Sequence, residues 1–180
     1  MVKRLGGPKG FTTTKIAGKV RNKTLRDLTG RAAVIESGMA YTYTEHISDI
    51  GIEASGETLE AAFEAGAEAT LNIMFDLETI EEREQIPIIA EAEDIELLFV
   101  EVLNEVLSLQ GLNNLALRRL GKSEIRKKDG GFAFSGVAHG ERFDAGRHGV
   151  RTEVKGATYS GLSYNNGEGG AHQLSCVLDV

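Results

Sequence analysis

Small or aromatic residues alternate with threonine along "MAYTYTEH" (39–46), which is the period-2 signature of a half-buried strand. After a break at Ser48-Asp49, "IGIEAS" (50–55) reads as a second strand, closed by Gly56. The period then changes. In "ETLEAAFEAGAEATLNIMFD" (57–76), Leu59, Ala62, Phe63, Gly66, Ala69, Thr70, Ile73 and Met74 fall on one stripe of a helix. Glu60, Glu64, Glu68 and Asn72 fall opposite, and that acidic row reads as a solvated face. "REQIPIIAEA" (83–92) gives a third strand, in which Pro87 marks an edge or an irregularity. Asp94 caps a second helix that runs to about Leu109 and stops at Gly111. This helix is apolar around more of its circumference, so it is expected to be the more buried of the two. Strand-like pieces follow near 113–126, 131–138, 151–164 and 172–179, separated by "KDGG", "GERFDAGRHG" and "NNGEGG". The first and last separators are hairpin chemistry, because Gly and Asn accept positive φ at little cost. The pattern predicts an α+β fold with two helices packed on a mainly antiparallel β-sheet.

Residues 1–38 show no sustained period and few large apolar residues, so the domain is expected to span 39–180. The first 38 residues form a basic N-terminal extension. It reads as a disordered arm, a transit-peptide-like segment or translation from an upstream start; Met39, directly before the first strand, favours the last. Charge divides at the same boundary. The net charge of −7 resolves into +7 for residues 1–38 and −14 for 39–180. An acidic body lacks the basic footprint of a nucleic-acid binder, so no direct contact with nucleic acid is expected. Cys176 is the single cysteine, which excludes a disulfide framework and a CxxC pair and suits a reducing compartment. No run approaches the roughly 18 apolar residues of a membrane span. The expectation is a cytoplasmic protein with no membrane partner.

Candidate chemistry is sparse. Gly121-Lys122-Ser123 imitates half of a phosphate-binding loop, but the glycine due five residues earlier is Ala116 and no helix follows. Cys176 alternates with Leu174 and Leu178 and reads as a core residue rather than a nucleophile. Polar residues collect at element ends: His46 and Asp49 at the first break, His148 in a loop, Lys155 in the next strand, and Asp179 with Val180 at the end of the chain. If the first and last strands are neighbours, Asp49, Asp179 and the α-carboxylate of Val180 converge, and such a cluster needs protonation or a cation. Oxygen ligands favour calcium, magnesium or manganese; a histidine would shift the preference toward manganese or zinc. On spacing alone, a capping or turn role for Asp49 and ordinary surface histidines outweigh a metal.

Four ordered blocks alter that balance. "EHISDIGIEASGETLEAAFEAG", "AEDIELLFVEVLNEVLSL", "HGERFDAGRHGVRTEVKGATYSGL" and the terminal "VLDV" resemble the successive motifs of the archease family, from about Tyr41 to Val180. The resemblance implies a small α+β protein that activates RtcB-type RNA ligases in tRNA splicing and RNA repair, promoting guanylylation and turnover of the ligase. It implies that Asp49, Asp179 and Val180 are metal ligands and Lys155 a functional lysine, with His46 and His148 as motif histidines facing the partner. The chain departs from the family pattern at Ile47, Ser48 and Gly156, where the family usually has Thr, Ala and Ala, and it has no tryptophan. The expected function is that of a non-enzymatic, metal-binding activator. The alternatives are a metal-dependent hydrolase on phosphate substrates, using Asp49, Asp179 and His148, and a metal-independent, chaperone-like interaction module.

Overall fold

The computed structural model describes residues 33–34, 39–45, 49–167 and 170–180. Among these residues the strands are β1 (Ala33–Val34), β2 (Ala40–Glu45), β3 (Asp49–Gly56), β4 (Glu84–Ala92), β5 (Leu115–Lys128), β6 (Gly131–Arg142), β7 (Gly156–Asn166) and β8 (His172–Asp179). The helices are α1 (Leu59–Met74) and α2 (Ile95–Leu112). The fold is α+β and every strand pairing is antiparallel. The strands divide into two sheets, ordered β1-β2-β3-β8-β7 and β4-β6-β5. Apart from β1, the expected basic extension lies outside the described residues.

Both helices touch both sheets: α1 packs on β3 and β5, α2 on β4 and β7. The α1 stripe makes this possible. Ala62, Ala65, Gly66 and Ala69 are small enough for the helix to lie close to β3, while Phe63 fills the centre. Phe63 meets Phe99 of α2 edge-on at 5.2 Å and stacks on Phe134 of β6 at 5.7 Å, joining both helices to the smaller sheet. Gly66 is required by this packing, since a Cβ there would run into the Phe99 ring.

The helix starts follow their sequence signals. Thr58 accepts from the Ala61 N–H at 3.1 Å and Asp94 from the Leu97 N–H at 2.8 Å. The end of α2 differs from expectation. Gly111 lies inside the helix, and Asn113 closes it, with its side chain on the Leu109 carbonyl at 2.8 Å. Asn114 then takes the left-handed conformation, with φ of 51°.

The acidic row of α1 is not a solvated face. β5 is an outer strand of its sheet, and its unpaired N–H groups need acceptors. Glu64 accepts from Ser123 N–H and Glu60 from Ile125 N–H, each at 3.3 Å. Burial raises the carboxyl pKa of Glu68, against the opposing pull of Arg118 and Arg119. Pro87 does sit on an outer strand, β4. Gly121-Lys122-Ser123 lies in a bulged stretch of β5 with Lys122 at φ 54°, so it is strand irregularity and not a phosphate loop. Cys176 is buried in the larger sheet's inner face, and burial pushes its thiol up to about 12.

Candidate functional site

Asp49 opens β3 and Asp179 closes β8, and the two are direct register partners. Residues opposite one another in an antiparallel pair share a face, so their carboxylates stand side by side. The neighbour of the last strand is β3, not the first sequence-predicted strand; Asp49 belongs to the strand that follows the break. Like charges in this relation repel, and Lys155 brings a cation to them. The Lys155 N–H donates to the Asp179 carbonyl at 2.8 Å, and its Nζ lies 3.0 Å from the Val180 main-chain oxygen and 3.5 Å from Asp179 Oδ1. The side chains of Lys155 and Asp179 are 58% and 50% exposed, so this ion pair contributes little to stability in itself.

The chain between β6 and β7 carries Lys155 to that position by binding the end of α1. Gly149 accepts from the Asp76 N–H, and the Arg151 N–H donates to the Met74 carbonyl, both at 2.8 Å. Thr152 N–H reaches the Ile73 carbonyl at 3.2 Å. Arg151 Nη1 then donates to the Asn72 carbonyl at 2.8 Å and to Asn72 Oδ1 at 2.9 Å, with Nη2 3.6 Å from Asp76 Oδ1. The last carbonyls of α1 are thereby satisfied from outside the helix, and a guanidinium sits at the negative end of its dipole, where α1 has no basic residue of its own. Asn72 also donates to Tyr43 Oη at 3.2 Å, and that hydroxyl donates to the Ala69 carbonyl at 2.9 Å. One polar chain thus links β2, α1 and the segment leading to Lys155.

His148 departs from the sequence expectation of a surface, partner-facing histidine. Its side chain is 0% exposed. Nδ1 accepts from the Asp144 N–H at 3.1 Å, which leaves the proton on Nε2, 3.2 Å from Glu141 Oε1. Glu141 is itself buried, and accepts from the Glu81 N–H at 2.8 Å and from Arg147 at 2.5 Å. The Glu81 N–H, chiefly, holds the Glu141 carboxyl below the usual range against its desolvation, with help from His148, Arg147 and Arg83. His148 therefore closes the loop over Glu141, and its hydrogen bonds go to Asp144 and Glu141, not to Asp49, Asp179 or Val180. His46 lies outside the described residues.

Asp49, Asp179 and the Val180 oxygen form an all-oxygen set, which fits a hard cation better than zinc. Among the described residues no group of three His, Cys, Asp or Glu side chains gathers to hold an ion, so an ion here would complete its shell with main-chain oxygen, water or groups from a partner. The carboxylates lie on open strand ends. Among the described residues, two open clefts lie elsewhere: one of about 310 Å³ is lined by Thr42, Glu53 and Ser175, another of about 250 Å³ by Phe75, Phe143 and Val150. Among the described residues no helix is long and apolar enough to cross a membrane. Arg151 and Glu141 were not read from the sequence, since neither sits in a spacing that distinguishes it from a surface charge.

Residues 41–180 match the model of the Archease protein family (MTH1598/TM1083). Protein archease of Pyrococcus furiosus is 36% identical over 140 residues, covering 78% of this chain and 98% of the relative. Protein archease of Methanosarcina mazei is 32% identical over 143 residues, covering 79% and 97% respectively. Among solved structures, the solution structure of Methanobacterium thermoautotrophicum protein 1598 superposes with a TM-score of 0.66 at 28% identity, covering 78% of this chain and 98% of that one. With the motif blocks in order and matched over nearly the full length of these relatives, the chain belongs to the archease family.

Proposed function

We propose that the protein is a non-enzymatic activator of an RtcB-type RNA ligase in tRNA splicing or RNA repair, promoting ligase guanylylation and turnover. The observation that carries the reading is the pairing of Asp49 with Asp179 at an open strand end, with Lys155 Nζ on the oxygens of Asp179 and Val180. In this reading Asp49, Asp179 and Val180 hold a divalent cation (calcium, magnesium or manganese), which supplies a hard positive charge facing the ligase. Lys155 is the counter-charge of the cation-free protein. Its ammonium offsets the repulsion between the carboxylates and keeps the strand ends aligned. It lies on the Asp179 and Val180 oxygens, so it competes with the cation there, and its flexible stem lets it swing away. The exposed position of the pair suits a group offered to another protein better than a group that encloses a small substrate.

The test is a ligase assay with the purified protein in sub-stoichiometric amount. The wild type is expected to raise ligase turnover while showing no ligase activity alone. Asp49→Ala, Asp179→Ala and a chain extended beyond Val180 are expected to lose most of the stimulation, about tenfold or more. Full stimulation by all three would sink the reading. Manganese-dependent phosphatase activity abolished by Asp49→Ala would replace it with a hydrolase, and equal stimulation by wild type and Asp179→Ala with a metal-independent interaction module.

A further inference from the structure

We propose that Asn104 of α2 is a positioning residue for Lys155, acting through the backbone of Ala157; the inference rests on the reading of Lys155 as the site's counter-charge. Among the described residues, β7 is the last strand of the larger sheet, with β8 on one side and no strand on the other. Ala157, two residues after Lys155, turns its N–H and C=O to that open side. Asn104 Oδ1 accepts from the Ala157 N–H at 2.8 Å, and Asn104 Nδ2 donates to the Ala157 carbonyl at 3.1 Å. A carboxamide presents a donor and an acceptor side by side, so this single side chain does what the next strand would do. Ala157 is buried, which makes an unpaired peptide group there costly.

The consequence falls on the lysine. On the β8 side, Lys155 N–H is bonded to the Asp179 carbonyl and Gly156 is in register with Asp179. On the α2 side, Asn104 holds Ala157. The backbone from 155 to 157 is thus gripped from both edges, while Arg151 fixes the chain just before it to α1. Lys155 is exposed and flexible beyond its Cβ, so the placement of its ammonium depends on where this backbone is held. The fit is close: a Cβ at Gly156 would lie 3.3 Å from Asn104 Oδ1. Asn104 is also a poor helix former in the interior of α2, which fits a residue kept for its hydrogen bonds.

Two measurements on the full chain test this. In the cation-free protein, amide hydrogen exchange is followed at Lys155 and, as a control, at Ile52 in the middle of β3, for wild type, Asn104→Ala and Asn104→Leu. The leucine variant keeps the side-chain volume where alanine leaves a gap. Lys155 exchange is expected to rise at least tenfold in both variants with Ile52 unchanged. An unchanged Lys155, or an equal rise at both amides, would overturn the proposal. Manganese titration then compares wild type, Asn104→Leu, Lys155→Ala and the double variant. Because the ammonium competes for the ligand oxygens, each single variant is expected to bind manganese several-fold more tightly, and the double variant no more tightly than Lys155→Ala. Weaker binding by Asn104→Leu, or additive effects, would show that Asn104 acts on the structure generally and overturn the link to Lys155. If the wild type binds no manganese, or Lys155→Ala binds as the wild type does, the counter-charge reading fails instead, and the exchange result decides the role of Asn104.

Discussion

At the scale of single residues, the buried Glu141 carries the clearest pH signature. Its carboxyl is held below the ordinary range, mainly by the Glu81 N–H, so its folded pKa lies under its unfolded one. Such a group contributes stability above the unfolded value, about 4.3, and loses it as pH falls through the folded value. Glu141→Gln is therefore expected to be less stable than wild type at pH 7, with the gap narrowing below about pH 4. Urea denaturation at a series of pH values reads this directly, and parallel stability curves would refute it. Cys176 gives a second expectation. With its thiol buried and pushed up to about 12, native protein should resist thiol reagents at neutral pH, and Cys176→Ala should leave the proposed ligase stimulation intact. Rapid labelling of native protein would contradict the core assignment. Cys176 was legible in the sequence because strand alternation alone buries it. His148 was not, because only the closure of residues 143–149 over Glu141 makes a loop histidine an interior one.

At the scale of elements, two glycines in helices have opposite roles. Gly66→Ala gains about 1 kcal/mol of helix propensity. The new methyl must displace the Phe99 ring, and overpacking a tight core costs about 1–3 kcal/mol. A net loss of stability is expected, relieved by adding Phe99→Leu. At Gly111 a Cβ meets nothing within 4 Å and the position is helical, so Gly111→Ala should stabilise by about 0.5–1 kcal/mol. Chemical denaturation of the variants checks both signs. Arg151 is a third case at this scale. Its guanidinium, 14% exposed, serves the carbonyl end of α1, and Arg151→Ala should cost about 2 kcal/mol by the same measurement. A change below about 0.5 kcal/mol would mean that water replaces it. The helices and their starts were readable because stripe and cap are local in sequence. The end of α2 was not, because Gly111 and Asn113-Asn114 are competing stop signals two residues apart. The acidic row of α1 was misread for a different reason: its partner is the open edge of a strand about 60 residues later.

At the scale of the whole molecule, sheet membership decides the site. The order of strands along the chain was legible, but their division into two sheets and the pairing of β8 with β3 depend on contacts between distant segments, which no local period records. Asp49 and Asp179 become one site only through that pairing. The other whole-molecule property is charge, which the sequence does show in full. In the proposed function, the −14 on residues 39–180 would set up a field that draws in a cationic, RNA-binding ligase and raises the rate of encounter. Salt screens such a field over about 10 Å at 0.1 M, so association is expected to weaken several-fold between about 50 and 300 mM monovalent salt. RNA binding by the ligase is itself salt-dependent, so the measurement is direct binding of labelled protein to RNA-free ligase, not ligation. Replacing Asp49 by alanine should lower the affinity at every salt concentration and leave the salt slope nearly unchanged, because one charge among many sets little of the long-range field. A salt-independent affinity would mean that the acidic surface plays no part in docking. A slope that collapses in Asp49→Ala would place the whole electrostatic attraction at the strand end, and the rest of the acidic body would then serve solubility alone.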